Sequence, residues 1–376
     1  MKTGRRFFLT VLLVASFMAG CQSRLPVRVG FAGELSGTEA DLGVPGRNAV
    51  VLAVETINAR GGIAGRPLEV IYRDDQGTPD GAVQADRELV AAGVVAVIGH
   101  MTSSQSIAGL EVTAPAGVVL FSPTSTSARL SGRKDLFFRI VDDNTRDTFY
   151  LAQRINDLGI KRLALLYDED NAAYAAIYAQ SVGDEFTRRG GQVVANIGFL
   201  GSAQPDDQAI LAKLRSAAPD GLVIVASALN SALLVQHARL AQWNIPIFVS
   251  DWAYSDIFLH NGGKAIEGVE LVTTYDTNFP DPDMREFQHR FKATYGYEPN
   301  FAAAQSFEVM LMLAIALEKT GGSAQGLPEA LENVRDFKGL IGLLSMGPYG
   351  DVRRPLYLLN VQNSRFVTGQ VLERLP

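Results

Sequence analysis

The chain has 376 residues, with 40 acidic against 34 basic side chains and a formal net charge of −6. That balance excludes nucleic-acid binding of the usual kind, whose affinity comes from neutralising phosphates, and a single cysteine, Cys21, excludes a disulfide framework. The length suits two domains of ordinary size.

Met1 to Gly20 has the layout of a secretory signal peptide: basic Lys2, Arg5 and Arg6, then a run from Phe7 to Phe17 that is apolar apart from Thr10 and Ser16. The run is shorter than the about 20 apolar residues of a membrane-spanning helix, and no later apolar run reads as long enough to span a bilayer. Ala19-Gly20-Cys21 is similar to the bacterial lipobox, with Met18 where leucine is usual. Residues 1–20 are therefore expected to be removed and Cys21 to carry lipid, anchoring the chain to a membrane in the periplasm or at the cell surface. Removal of three basic and no acidic residues takes the net charge from −6 to −9.

Val27 to Ala32 alternates with period two and begins the fold as a strand. Glu34 to Gly43 reads as a loop. Asn48 to Arg60 has apolar residues at 50, 51, 54 and 57, one face of a helix, stopped by Gly61-Gly62. Leu68 to Tyr72 is a strand closed by Asp74-Asp75. Thr78-Pro79 supplies an N-cap and a first-turn proline for a helix reaching Ala92. Two apolar runs follow, Val94 to Ile98 and Val118 to Phe121. Each ends in a hydroxyl-rich turn, His100 to Ser104 and Ser122 to Ser127, with a helix from near Ser104 between them. The order βαβαβαβ predicts a parallel sheet with helices on both faces. Its strand-end turns share one edge, where open α/β sheets place ligands.

The cadence restarts after Ile140. Helices are expected over Asn144–Leu158, Ala172–Arg189, Pro205–Ala217 and Asn230–Gln242, with strands over Arg162–Tyr167, Gln192–Ile197, Gly221–Ala226 and Ile245–Ser250. A strand at Val269–Thr273 follows, then helices at Met284–Tyr295, Phe301–Lys319 and Leu327–Val334. Strands at Leu340–Leu344 and Leu356–Val361 end the pattern. The fold class is therefore α/β with two doubly wound parallel-sheet units.

The segments VGFAGELSGTEADLGVPGRNAV, INARGGIAGRPLEVIYRDDQGTPDGAV, VVAVIGHMTSSQS, VVLFSPTSTSARL and FKGLIGLLSMGPYGDV stand in order along the chain. Together they resemble the type I periplasmic binding proteins, in particular the leucine/isoleucine/valine-binding group, the solute receptors of ABC importers. The resemblance implies two lobes joined by three hinge crossovers near residues 144, 275 and 350. The expected N-terminal lobe is 27–144 plus 276–350, and the C-terminal lobe 145–275 plus 351–376. It further implies a monomer that closes on a small molecule, an amino acid, and is then recognised by an ABC permease.

A free amino acid needs donors for its carboxylate and acceptors with a negative charge for its ammonium. The resemblance assigns Ser103 to the carboxylate, Thr126 to a hydroxyl contact and Thr124 to a backbone carbonyl that accepts from the ammonium. Ser104 is a second candidate beside a more structural Thr102. Asp251, after the strand ending at Ser250, is the implied ammonium partner, with Trp252 as a wall and Tyr174 as the aromatic that covers the ligand. Leu42 and Ser227 stand where the group often has rings, which implies an enlarged side-chain pocket. Asn300 and Phe301 are further pocket candidates.

No catalytic set, nucleophile elbow, phosphate loop or metal-spaced histidine pair is present in the sequence, so neither enzyme activity nor a cofactor is expected. His100, nearest the strand-end turns, reads as structural. The alternative function is a sensory or regulatory module of the same fold, binding amides, aromatic acids or peptides. Fold alone does not choose between the two.

Overall fold

The computed structural model describes residues 25–37 and 40–374; the leader and Cys21 lie outside the described residues. Strands β1 (Val27–Gly33), β2 (Leu68–Asp74), β3 (Ala96–Ile98), β4 (Val119–Ser122) and β5 (Phe137–Arg139) form one parallel sheet in the order β2-β1-β3-β4-β5. Helices α1 (Ala40–Ala59), α2 (Pro79–Ala91) and α3 (Ser103–Thr113) connect its first four strands. Every residue of β3 and β4 is buried, as expected of strands covered on both faces.

A second unit repeats the pattern with α4 (Thr145–Asp157), β6 (Arg162–Asp168), α5 (Ala172–Arg188), β7 (Gln192–Phe199), α6 (Asp207–Ser216), β8 (Gly221–Val225), α7 (Ala228–Leu240), β9 (Ile247–Val249), α8 (Asp256–Gly262) and β10 (Glu270–Thr273). The chain then returns to the first unit. Helices α9 (Pro282–Tyr295) and α10 (Phe301–Lys319) pack on α1, and α11 (Leu327–Glu332) packs on α10. The Tyr295 hydroxyl donates to the Asn48 carbonyl at 3.0 Å and ties α9 to α1. After a hairpin, β11 (Phe337–Gly339) with β12 (Gly342–Leu344), the chain crosses again. Strands β13 (Leu356–Gln362) and β14 (Arg365–Glu373) add an antiparallel edge to the second sheet, whose order is β14-β13-β10-β9-β8-β6-β7. The first and last crossings lie side by side: Arg139 N–H donates to the Gly350 carbonyl at 2.8 Å, and Val352 N–H to that of Val141 at 3.1 Å.

The structure corrects four expectations. First, the helix expected from Asn48 begins at Ala40, with Pro45 inside it. Proline offers no N–H to the carbonyl four residues back, and the Asn300 side chain donates to that Asp41 carbonyl instead, at 2.7 Å. Second, the strand expected at 340–344 is one arm of the β11–β12 hairpin. Third, β14 was absent from the pattern. Its turn residues Asn363 and Ser364 both have positive φ, 52° and 56°, the backbone of a tight hairpin turn, but serine replaces the usual glycine signal. Fourth, Phe301–Lys319 is, by length and a mean hydropathy of 1.5, apolar enough to cross a bilayer; here it is a core helix, mostly buried against α1 and its neighbours.

Candidate functional site

Parallel pairing brings the loops that follow β3 and β4 to one edge of the first sheet, and those that follow β6 and β9 to one edge of the second. On the first edge, Ser103 opens α3 and is 1% exposed. Its Oγ accepts from Ser127 N–H at 3.2 Å. Thr102 occupies the N-cap position, yet its hydroxyl goes to the Gln105 side chain and makes no capping bond. The first turn of α3 thus keeps backbone donors and a positive dipole end for an anion.

The two hydroxyl turns are welded together. The Thr124 hydroxyl donates to the Met101 carbonyl. Ser122 Oγ donates to the His100 carbonyl at 2.8 Å and accepts from Ser125 N–H at 3.0 Å. His100 itself is fully buried behind the turn, its Nδ1 2.7 Å from Asp75 Oδ2 and its Nε2 3.2 Å from Asp86 Oδ2. It is not among the residues that line the cavity described below.

On the second edge, the Tyr174 hydroxyl donates to Asp251 Oδ1 at 3.0 Å. The Tyr174 ring meets Trp252 edge-on, with centroids 6.0 Å apart, and packs on Tyr178 at 5.6 Å. Burial pushes the Asp251 carboxyl up to about 6; the Tyr174 hydroxyl and the backbone N–H groups of Asp251 and Trp252 oppose that rise. Asp147, 3% exposed on α4, is pushed well above the usual carboxylate range, first by burial and then by the Asp251 charge. That shift favours its neutral acid, so Asp251 is the group suited to carry the charge here.

One cavity joins these edges. Ser103, Thr124 and Thr126 line it from the first sheet, and Tyr174, Asp251 and Trp252 from the second. Leu42, Met101 and Phe301 add apolar walls, and Thr102 and Asn171 complete it. The cavity they leave is about 30 Å³, far below the roughly 300–1,000 Å³ of ligand clefts. Direct bonds hold the edges together: Ser104 N–H donates to Asn171 Oδ1 at 3.2 Å, Ala173 N–H to Ser104 Oγ at 3.3 Å, and Ser127 Oγ to the Ala173 carbonyl.

Three sequence candidates stand outside the lining. Ser104 is spent on that cross-cleft clamp. Ser227 accepts from Asn230 N–H as the cap of α7 and is not among the lining residues. Asn300 caps α10 and holds Asp41. Trp252 and Phe301 supply aromatic walls to the cavity, with Leu42 beside them in the lining. Met101 and Asn171 went unnoticed in the sequence. Both sit within the strand-end turns, where position on the edge was the available signal. A larger hollow of about 280 Å³ lies between α1, α9 and α10, away from the strand ends. Among the described residues no cluster of three or more His, Cys, Asp or Glu side chains is arranged to hold a metal.

Comparisons with known proteins agree with this geometry. Residues 26–365 match the model of a family described as periplasmic binding protein. The leucine-, isoleucine-, valine-, threonine- and alanine-binding protein of Pseudomonas aeruginosa is 24% identical over 351 residues, 91% of each chain. A leucine-binding protein from Thermotoga maritima has the same fold, with a TM-score of 0.85 and 24% identity over 92% of this chain and 99% of that one. A solute-binding protein of an R. palustris ABC transporter, solved with benzoate, is similar at a TM-score of 0.84 and 20% identity over 93% and 97% of the two chains. A family model that spans residues 26–365 covers most of the chain, and the chain belongs to the periplasmic binding protein family.

Proposed function

We propose that this protein captures a free α-amino acid with an aliphatic side chain and delivers it to an ABC permease. The observation that carries the reading is the pairing, across one cavity, of Ser103 and the α3 N-terminus with Asp251. The first pair suits a carboxylate, and a buried carboxylate suits an ammonium. Leu42, Met101, Trp252 and Phe301 give the cavity apolar walls against which the side chain lies when the cleft opens to admit it. The relatives named for leucine, isoleucine and valine point the same way. Asp251 argues against an aromatic acid such as the benzoate of the R. palustris protein, because benzoate brings no cation to offset it.

The lobes in this reading are 27–144 with 276–350, and 145–275 with 351–376. They close about the three chain crossings when ligand bridges Ser103 to Asp251. Cys21 carries the lipid that keeps the receptor at the membrane beside its permease. Replacing it, Cys21→Ser, should release the protein into the soluble fraction; continued membrane association would remove the anchor from the proposal.

Calorimetry of the purified protein against the twenty amino acids and benzoate tests the ligand. Heat is expected with aliphatic amino acids and none with benzoate. Benzoate binding without any amino-acid binding would reverse the assignment.

A further inference from the structure

A second cavity, of about 370 Å³, is built beside the segment that follows Asp251-Trp252. Residues from both units build it. Tyr254, Ser255 and Asp256 come from the second unit and lead directly on from Asp251-Trp252. Glu298 comes from the loop before α10, and Arg365 and Phe366 from the start of β14. Tyr275 and Thr277, in the segment where the chain crosses back, form part of its wall.

Its chemistry is specific. Tyr254 and Phe366 meet edge-on, with centroids 4.5 Å apart, and give an apolar floor. The Tyr254 hydroxyl is fixed by Thr277, accepting its N–H at 3.2 Å. Ser255 is 7% exposed, and its buried hydroxyl has no partner among the described residues. A buried hydroxyl left unbonded is costly, and this one belongs to a residue lining the cavity. At the rim, Asp256 and Arg365 take part in no ion pair among the described residues, while Glu298 is held by Lys292 at 2.5 Å. Lys292 also feels the charge of Asp256. With Glu298 offset by Lys292 from outside the lining, one further charge of each sign, Asp256 and Arg365, stands on the rim. Such a rim suits a zwitterion better than either a free anion or a free cation.

We propose that this cavity is a second binding site, for a small zwitterion with an apolar side chain. Its carboxylate lies on Arg365, its ammonium on Asp256 and its side chain over Tyr254 and Phe366. The site does not depend on what the first cavity binds.

The test uses L-phenylalanine as probe in calorimetry of the Asp251→Ala protein, whose first site lacks its charge. Binding is expected there. Arg365→Gln and Asp256→Asn, both exposed positions, should each weaken it by about tenfold or more. Phenylpropionate, which lacks the ammonium, and phenethylamine, which lacks the carboxylate, should bind more weakly than the amino acid. In protein with Asp251 intact, the ring resonances of Phe366 and Tyr254 should shift with L-phenylalanine, and stay still once Arg365→Gln is present; this reads the site even where Asp251→Ala fails to fold. Absence of ring shifts in the intact protein, affinity indifferent to both substitutions, or equal binding of either half-ligand would overturn the proposal.

Discussion

Tyr174 donates its hydroxyl to Asp251 Oδ1 at 3.0 Å, and the bond holds the carboxylate at the mouth of the cavity that Ser103 enters from the other sheet. Two side chains thus cooperate on one charge. Asp251→Ala should weaken amino-acid binding by about 2–5 kcal/mol, since it strands a buried ammonium. Tyr174→Phe removes one bond to a charged acceptor and should cost about 1.5–3 kcal/mol. Calorimetry of both variants measures this. An unchanged affinity for Asp251→Ala would place the ammonium elsewhere.

Asp251 also predicts a pH profile. Burial holds its carboxyl at about 6 in the empty protein, against an ordinary value of 3.8. An ammonium binds the ionised form, so affinity should be level above about pH 7 and fall on acidification. The loss should reach about tenfold by roughly pH 5, when about one carboxyl in ten remains charged. Tyr174→Phe should move the fall to higher pH, because the lost bond favoured the carboxylate. For folding the sign is opposite to that of a paired acid. A raised carboxyl costs the unliganded fold nothing below its ordinary range and its full amount above about 6. Asp251→Asn should therefore raise the melting temperature of empty protein at neutral pH while weakening ligand binding.

Much of this was legible in the sequence, and the exceptions have physical causes. The parallel strands announce themselves as short apolar runs ended by polar turns, and Thr78-Pro79 caps α2 as its chemistry demands, with Thr78 Oγ1 accepting from Gly81 N–H at 3.0 Å. The start of α1 was hidden by Pro45, which is tolerated only because Asn300, about 260 residues away in the sequence, supplies the missing donor. No local pattern reports such a partner. The cavity edge was readable because turns after parallel strands must share it. Which of its hydroxyls face the space was not: Ser103 and Ser104 are neighbours, but one lines the cavity and the other clamps the opposite unit.

His100 is predicted to be a keystone of the first edge. Burial alone pushes its imidazole down, but the charges and hydrogen bonds of Asp86 and Asp75 outweigh burial and raise it to about 10 from an ordinary 6.5. Its stabilising contribution should be whole below about pH 6.5, decline above that, and vanish as pH passes about 10. Substitution His100→Asn leaves two buried carboxylates without their cation and should cost about 3–5 kcal/mol. Melting temperatures across this range check both parts. The gap between wild type and variant should narrow towards alkaline pH; a constant gap would mean that His100 acts through shape and not charge.

The last prediction concerns the chain crossings. Glu308 on α10 and Arg354, just before β13, are both fully buried, with Nη1 2.8 Å from Oε2. The same Nη1 donates to the Ile140 carbonyl at 3.2 Å, and Glu308 Oε1 accepts from Leu340 N–H at 2.7 Å. One ion pair therefore ties the first crossing, the last crossing and α10. The Arg354 Nε and Nη2 atoms have no partner among the described residues, so Glu308 is the main offset for this buried cation. Glu308→Ala should destabilise the protein by about 3–5 kcal/mol, because it leaves the guanidinium uncompensated. The double variant Glu308→Leu with Arg354→Met removes both charges and should recover a large part of that loss. Denaturant unfolding of the two variants separates the causes: recovery assigns the cost to the unpaired charge, and equal instability assigns it to the lost contacts with Ile140 and Leu340.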